Sequence, residues 1–319
     1  MSDLPRKVDI HEEGPREGFQ ITSQIIATAD KVRFIEALAE TGLRDINCVS
    51  FVNPKKVPNM ADAAAVASAI RKRRDVRYSA LWLSLGGFER ALQTPLDLSG
   101  LILLSASEAF SIANTGKTTA ETVVEQSAML KRYREASIPV EWASIMTAFG
   151  CNFAGDIEPK SVISMVATAL ELATEHDIQL HGVRLADTVG WATPVAIERV
   201  VSSVRDRWPH LRIGLHLHDT RGTGLANAYA GLRMGVDQFD AACAGLGGCP
   251  FAGHKGAAGN ICTEDLAFMC EEMGIATGID LDRLIDCGNL AEEIFGRPLP
   301  GKLMHAGTLS RFRGAGRYN

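Results

Sequence analysis

Short apolar segments alternate with longer amphipathic segments along the whole chain. Eight of the short segments are rich in β-branched or apolar side chains, and we interpret them as strands at residues 8–12, 45–51, 76–83, 98–106, 139–147, 178–186, 211–218 and 238–245. Between them, apolar residues recur at intervals of three and four, the spacing of one helix face. The pattern therefore predicts eight β/α units.

Strands that alternate with helices and are almost continuously apolar are typical of a parallel sheet covered by helices, and eight units are the number that closes a (β/α)8 TIM barrel. The alternative, an open doubly wound sheet, is less well supported because no GxGxxG motif follows the first strand. We predict an α/β fold with a TIM-barrel catalytic domain at residues 1–278. Residues 279–319 would add a C-terminal helix and tail that pack on the barrel or on a partner subunit.

Composition excludes several classes of partner. The 319 residues carry a formal charge of −5, which gives no general attraction to nucleic acid or to an anionic membrane. The basic run at residues 71–74 is interpreted as the solvated end of a helix. No apolar stretch approaches the roughly 20 residues that span a bilayer, and the first residues lack the apolar core of a signal peptide. Seven cysteines, an odd number, favour reduced thiols, so we expect a cytoplasmic protein.

The motifs that carry chemistry all follow predicted strands. HEEGPREG follows the first strand, SFVNPKKVP the second, ADTVG the sixth and AGLGGCPFAG the eighth, while HLHDT ends the seventh. In a TIM barrel the active site forms at the C-terminal ends of the strands and in the loops after them. These motifs are therefore expected to meet at one rim.

Two histidines indicate a metal site. His216 and His218 are separated by one residue on a predicted strand, so their side chains project from the same face. A carboxylate from the acidic cluster at residues 12–17 and the amide oxygen of Asn260 can complete the ligand set, which suits octahedral Mg²⁺ or Mn²⁺ better than tetrahedral zinc. The alternatives are histidines that serve only as hydrogen-bonded polar residues and a surface ion-pair network around the GPREG turn.

The glycine-rich segment after the eighth strand contains Cys249. So many glycines suggest a loop that folds over a ligand and excludes water, with the thiol as a general acid or base. The alternative is a mobile connecting loop with an incidental cysteine.

Five blocks of the sequence closely resemble the 3-hydroxy-3-methylglutaryl-CoA lyase family, metal-dependent TIM-barrel lyases of the pyruvate carboxyltransferase-like superfamily. The blocks are EEGPREGFQ, SFVNPKKVPNMAD, LADTVGWATP, GLHLHDTRGTGLANAYAGLRMGVDQFDAACAGLGGCPFA and AAGNICTEDLAFM. They occur in order from about residue 6 to about residue 295. The AGLGGCP segment is the most specific, because it is similar to the lyase signature rather than to that of the related synthases.

The resemblance implies a lyase that cleaves a 3-hydroxy acyl-CoA with a distal carboxylate, in a retro-Claisen sense, to acetyl-CoA and a keto acid. It implies Mg²⁺ or Mn²⁺ as cofactor, with Glu17, His216, His218 and Asn260 as metal ligands. Its implied catalytic residues are Arg16, Glu17 and Cys249. The side chains expected to contact the acyl-CoA substrate are Arg16, Gln20, Asn47, Ser50, Asp187, Thr188, His254 and Lys255.

Three departures from the family pattern lie in these motifs. Glu17 stands where the family has Asp, Asn47 stands where the family has Glu, and the segment from Cys249 to Asn260 is two residues longer than the usual spacing. That segment contains His254 and Lys255, and we hypothesise that one of them meets an acidic part of the substrate. The departures suggest a related reaction on a different acyl-CoA.

Several functions remain open at this point. Hydroxymethylglutaryl-CoA is the leading substrate, followed by citramalyl-CoA or a longer 3-hydroxy-3-alkylglutaryl-CoA. A condensing synthase or aldolase of the same superfamily is less favoured, because the chain leaves no room for the regulatory domain common in the synthases. A barrel without activity that serves as a binding protein is the alternative of another class. We expect a homodimer.

Overall fold

Eight parallel strands form one curved sheet in this computed structural model, of which residues 4–248 and 258–313 are described. Their bounds are β1 Asp9–Glu12, β2 Asp45–Ser50, β3 Arg77–Leu81, β4 Gly100–Ser105, β5 Val140–Met146, β6 Gly182–Ala186, β7 Arg212–His216 and β8 Gln238–Ala241. Each observed strand lies within a predicted one.

Helices cover the outside of the sheet. They are α1 Gly14–Ile21, α2 Thr28–Ala39, α3 Ala63–Ala69, α4 Leu85–Ala91, α5 Glu108–Thr115, α6 Thr119–Glu135, α7 Pro159–Glu175, α8 Pro194–Arg207, α9 Gly224–Arg233, α10 Thr263–Glu272, α11 Leu281–Phe295, α12 Leu303–Ala306 and α13 Ser310–Arg313. Short 3₁₀ turns occupy Pro58–Met60 and Cys243–Gly245. Alternate strand residues such as Ile102 and Leu104 are fully buried between the sheet and these helices.

The strand order identifies the architecture. The sheet runs β3-β2-β1-β8-β7-β6-β5-β4, with every neighbouring pair parallel, which is the cyclic order of a (β/α)8 barrel. The predicted barrel is therefore confirmed, and the doubly wound alternative is wrong. Within the described residues β3 and β4, the two ends of this order, do not pair with each other.

Side chains accept hydrogen bonds from the backbone at the gap between β3 and β4. Asp97 Oδ2 accepts a hydrogen bond from Tyr78 N at 2.9 Å, and Gln126 Oε1 accepts one from Leu103 N at 2.9 Å. Each free strand edge thus has a partner other than the opposite strand, since buried backbone N–H groups need acceptors.

The basic run at residues 71–74 differs from its prediction. Helix α3 ends at Ala69, and the run follows in non-helical conformation. Arg71 pairs with Glu36, Lys72 with Asp97 and Arg73 with Glu40. The run is solvated, as predicted, but it lies outside the helix, and its successive charges pair with carboxylates at separate places along the chain.

The C-terminal helix α11 packs against α2 and α10. The Phe295 ring stacks on that of Phe19 in α1, with ring centroids 5.8 Å apart. The division of the chain at residue 278 stays a prediction. Across the described residues, no helix has the length and apolar character that crossing a membrane requires.

Candidate metal centre

The first strand and its helix place a carboxylate at the mouth of the barrel. β1 ends at Glu12, and α1 begins at Gly14 with Pro15 in its first turn, where a missing N–H costs nothing. This abrupt change of direction brings Arg16 and Glu17 over the C-terminal ends of the strands. The Glu17 side chain is buried there.

Two imidazoles lie beside that carboxylate. His216 is the last residue of β7, and its Nε2 lies 3.8 Å from Glu17 Oε1. His218 Nε2 lies 3.9 Å from Glu17 Oε2, and the two imidazole centroids are 5.0 Å apart. One potential ligand atom from each of the three residues lies within 4.8 Å of the other two. The rings therefore converge on one point together with Glu17.

Asn260 joins this group through backbone pairing. It forms an isolated antiparallel bridge with His218, and Asn260 Nδ2 donates hydrogen bonds to Glu17 Oε2 at 2.6 Å and to Leu246 O at 3.1 Å. These two acceptors fix the orientation of the amide. Its other atom, Oδ1, is then the one left for a ligand.

The far side of each imidazole is held by an acceptor. His216 Nδ1 lies 3.0 Å from Asp240 Oδ2, and His218 Nδ1 lies 2.9 Å from the carbonyl oxygen of Thr188. Because a carbonyl only accepts, His218 Nδ1 carries a proton, and in the neutral ring Nε2 carries a lone pair. Metal-binding histidines are oriented by this kind of contact.

Unsatisfied acceptors test whether a cation fits. Within residues 4–248 and 258–313, His218 Nε2 and Asn260 Oδ1 are buried and have no hydrogen-bond partner. Buried polar atoms are normally paired, and both of these residues lie against Glu17, so a cation bound there would give each atom a partner. A carboxylate, two imidazoles and an amide oxygen suit a divalent cation such as Mg²⁺ or Mn²⁺. The residues present fit the group.

Arg16 bridges two carboxylates next to the cluster. Its Nη1 lies 2.8 Å from Glu17 Oε1, and its Nε donates to Glu13 Oε2 at 3.0 Å. Burial disfavours the charged guanidinium, but these two carboxylates outweigh it and raise the pKa of Arg16 above its usual value. Arg16 is therefore a fixed positive charge at the barrel mouth.

Neighbouring charges shift the pKa values of both Glu17 and His216. Burial raises the pKa of Glu17, but Arg16, His218 and His216 outweigh it and hold that pKa well below its usual range. Burial lowers the pKa of His216, but Asp240 and Glu17 raise it overall. Glu17 is thus a carboxylate, the form that binds cations.

The glycines beside the site allow close packing. Gly247 has φ +88°, and a Cβ there would lie 2.5 Å from Glu17 Cβ and 2.6 Å from Asn260 Nδ2. Gly248 N donates to Glu17 Oε2 at 3.1 Å. At these positions glycine lets the backbone touch two of the predicted metal ligands, a role different from the loop closure expected from composition.

Four other residues predicted to bind substrate lie in two regions. Gln20 and Ser50 lie at α1 and the end of β2, and Asp187 and Thr188 follow β6. Ser50 Oγ donates to Gln20 Oε1 at 2.8 Å, beside α1. Asp187 Oδ1 accepts from Trp191 N and Ala192 N, so it holds the turn after β6. Thr188 uses its carbonyl for His218 and its Oγ1 for Thr147 N.

Asn47 lies inside β2, and its Nδ2 donates to Glu13 Oε2 at 3.0 Å. Cys249, His254 and Lys255 lie outside the described residues. Their predicted roles stay predictions.

Sequence reasoning did not assign roles to three charged residues at this site. Glu13 pairs with Arg16, Asp240 orients His216, and Arg184 Nε lies 3.0 Å from Asp240 Oδ2. The alternation of side chains along a strand was the available signal. Glu13 directly follows β1, two residues after His11, and Asp240 in β8 is the cross-strand partner of His216 in β7.

Comparison with known proteins agrees with this geometry. The family profile described as HMGL-like matches residues 7–291. The chain belongs to the HMGL-like family. It is 37% identical over 298 residues to hydroxymethylglutaryl-CoA lyase YngG of Bacillus subtilis, covering 93% of this chain and 96% of the relative. The resemblance stated from the sequence blocks is confirmed.

Two other members of this family of carbon–carbon lyases give further comparisons. A Pseudomonas aeruginosa protein named 3-hydroxy-3-isohexenylglutaryl-CoA/hydroxy-methylglutaryl-CoA lyase is 38% identical over 295 residues, 92% of this chain and 95% of its own length. A solved HMG-CoA lyase from Acinetobacter baumannii, in complex with coenzyme A and 3-methylmalate, has a TM-score of 0.86 and 37% identity. The match covers 100% of this chain and 98% of that one.

Proposed function

We propose that the protein is a divalent-metal-dependent lyase that cleaves a 3-hydroxy-3-methylglutaryl-CoA-like thioester to acetyl-CoA and a keto acid, acetoacetate for hydroxymethylglutaryl-CoA itself. The observation that carries this proposal is the convergence of Glu17, His216 and His218 beside Arg16. Asn260 Oδ1 supplies a fourth ligand. A bound Mg²⁺ or Mn²⁺ would act as a Lewis acid toward the substrate hydroxyl and carboxylate.

Separate residues of the chain then have separate roles in the reaction. The C3 hydroxyl passes its proton to a base, for which Glu17 is the catalytic residue that the family resemblance implies. C3 becomes a carbonyl, the C2–C3 bond breaks, and its electron pair passes to the C2 enolate of acetyl-CoA. Arg16 places positive charge where the thioester oxygen becomes negative. Glu13 and Glu17 hold its guanidinium from two sides. Cys249 is the proposed donor of the proton that C2 then takes up, as the family resemblance implies.

A second candidate substrate class has its own support. The Acinetobacter baumannii relative was solved with 3-methylmalate and coenzyme A, and the Pseudomonas aeruginosa relative is named for a 3-isohexenyl substrate. Together with Asn47 in place of the family Glu, these names favour testing citramalyl-CoA and longer 3-hydroxy-3-alkylglutaryl thioesters. The reverse reaction, condensation of acetyl-CoA with a keto acid, would use the same side chains.

Cytoplasmic location and assembly as a homodimer stay predictions.

The test is release of acetyl-CoA from these thioesters, with and without Mg²⁺ or Mn²⁺ after chelator treatment. We expect cation-dependent release that is lost in His218→Ala. Val195→Ala, at an exposed position on α8, is the control that keeps activity. Absence of acetyl-CoA from every thioester, with the cation bound, would contradict the lyase and favour a binding protein.

A further inference from the structure

A chain of polar contacts leads from His216 into the interior of the barrel. Asp240 Oδ2 lies 3.0 Å from His216 Nδ1 and 3.0 Å from Arg184 Nε. Arg184 Nη2 in turn lies 3.2 Å from His11 Nδ1, and His11 Nε2 lies 2.9 Å from Gln238 Nε2. The chain therefore joins one of the predicted metal ligands to side chains of β8, β6 and β1.

Arg184 reaches across an interior that other TIM barrels fill with bulky apolar side chains. It belongs to β6, and its partner His11 belongs to β1, with β7 and β8 between these two strands in the sheet. The Arg184 side chain is 14% exposed, and its guanidinium carbon lies 5.7 Å from the centroid of the Trp142 ring. Two glycines provide the space, because a Cβ at Gly182 would collide with Trp142 and one at Gly214 would lie 2.8 Å from a side-chain oxygen of β8.

Hydrogen-bond chemistry assigns the direction of the contacts at His11. A guanidinium only donates, so His11 Nδ1 accepts from Arg184 Nη2 and the ring carries its proton on Nε2. The acceptor for that proton is Gln238 Oε1, which is buried and lacks a hydrogen-bond partner within residues 4–248 and 258–313. The amide oxygen and nitrogen have nearly the same shape, and exchanging them gives the His11 proton and the amide oxygen a partner. His11 thereby holds the far end of the guanidinium.

Asp240 depends on Arg184 for a permanent positive charge. Its carboxylate is buried, and its other ion-pair partners in the described part of the chain are His216 and His11. The Arg184 Nε–H group is not aligned for a hydrogen bond, so the contact at 3.0 Å acts through charge. Arg184 and the His216 imidazole face the same oxygen, Oδ2, whereas Oδ1 has no hydrogen-bond partner among the described residues. The guanidinium therefore keeps Oδ2 turned toward His216, and a buried carboxylate without it would be costly.

We propose that Arg184 is a positioning residue for the cation site: it holds Asp240 against His216 and so fixes the orientation of that imidazole. The proposal rests on the metal site of the proposed function and deepens it. Loss of the outer partner of a metal-binding histidine reduces metal affinity by about 10- to 100-fold. Arg184 acts one contact further out, so its removal is expected to have an effect at the lower end of that range.

The test is a double-mutant cycle, read by isothermal titration of the metal-stripped protein with Mn²⁺. Arg184→Met keeps an extended side chain and removes the charge, and it should raise the dissociation constant about tenfold. In the Asp240→Asn background the same substitution should leave the dissociation constant unchanged, because Arg184 acts only through that carboxylate. A rise by the same factor in both backgrounds, or no rise in either, would overturn the proposal.

Further variants separate positioning from loss of the fold. Arg184→Lys keeps a charge beside Asp240 and should recover most of the affinity that Arg184→Met loses; an equally low affinity in both variants would contradict the proposal. Arg212→Met removes an arginine of β7 that pairs with Asp9 and Asp237, and it should bind Mn²⁺ like the unmodified protein. Arg184→Gln, which keeps a polar group for the imidazole of β1, replaces Arg184→Met in the cycle if the latter does not fold.

A measurement on the metal-free protein distinguishes this proposal from the lyase function. The Nδ1 proton of His216 lies in the contact with Asp240, and the rate at which its nuclear magnetic resonance signal exchanges with water reports that hydrogen bond. We expect faster exchange in Arg184→Met and unchanged exchange in Arg212→Met. Faster exchange with no acetyl-CoA released from any thioester would support the positioning role and contradict the lyase. Equal exchange in all three proteins, with acetyl-CoA released by the unmodified protein, would do the reverse.

Discussion

Asn47 Nδ2 in β2 donates a hydrogen bond to Glu13 Oε2, directly after β1, at 3.0 Å. The family pattern has a carboxylate at position 47, and in this chain a carboxylate that holds Arg16 comes from Glu13. A carboxyl group is thus retained at the barrel mouth, although it comes from the residue after β1 and not from β2.

Two substitutions test whether Glu13 takes the role of the carboxylate that the family has at position 47. Glu13→Gln removes the partner that fixes Arg16 and should lower kcat about 100-fold, because small displacements of a catalytic group are costly. Adding Asn47→Glu to that variant returns a carboxylate to the pocket and should recover at least tenfold of the loss, by the same positional effect. A double variant no more active than Glu13→Gln would show that Glu13 does not carry this role.

Asp240 should control the affinity of the site for a cation through His216. Asp240→Asn weakens the acceptor that orients the imidazole, and such losses reduce metal affinity about 10- to 100-fold. Asp237→Asn is the matched control, because Asp237 is only partly buried and pairs with Arg212, away from the histidines. Isothermal titration with Mn²⁺ gives both dissociation constants; equal values in the two variants would contradict the assignment.

Gly247 should be required by packing as well as by its backbone angle. Gly247→Ala would place a methyl group against Glu17 and Asn260, whereas Gly222→Ala has φ +73° and nothing within 4 Å. The strained angle costs about 1 kcal/mol or more in both variants. Overpacking at Gly247 adds about 1–3 kcal/mol to the loss in free energy of unfolding. Urea denaturation measures the difference, and equal losses would exclude the packing effect.

Glu12 should make stability depend on pH. Burial raises the pKa of Glu12 to about 8, only partly opposed by hydrogen bonds from Thr263, Cys243 and Gly14. The ordinary value of 4.5 applies to the unfolded chain, which therefore binds fewer protons than the folded state between these two values. This one group thus lowers the free energy of unfolding by about 1.4 kcal/mol per pH unit as the pH rises through that window.

Glu12→Gln removes this contribution, so its free energy of unfolding relative to the unmodified protein should increase steadily from pH 5 to pH 8. Glu264, whose pKa burial raises to about 7, is present in both proteins, so the comparison reports Glu12 together with its repulsion from Glu264. A difference that does not change with pH would mean that Glu12 is ionised in the folded protein throughout.

Much of the architecture follows from local pattern. Strand positions could be predicted because apolar runs of the right length alternate with helical periodicity. His216 and His218 were predictable as a pair because alternate strand residues share a face. Asn260 is far along the chain, and its amide oxygen could be proposed as a ligand from its chemistry, but the pairing that brings it to His218 depends on the fold.

Other features depend on contacts between distant residues. At the gap between β3 and β4, Asp97 and Gln126, which lie outside both strands, accept hydrogen bonds from Tyr78 N and Leu103 N. Neighbouring Glu12 and Glu13 read alike in the sequence. Glu12 ends β1 and Glu13 follows it, and they have different partners: Glu12 accepts from Thr263 while Glu13 accepts from Arg16. The partners that decide these roles are not adjacent in sequence.

Equilibrium binding of Mn²⁺ to the metal-stripped protein tests most directly whether Glu17, His216 and His218 hold one cation. We predict one Mn²⁺ per chain, with binding lost in His216→Ala and His218→Ala and kept in His210→Ala, a control at an exposed histidine. Failure to bind Mn²⁺, or binding that survives both substitutions at the barrel mouth, would contradict the account.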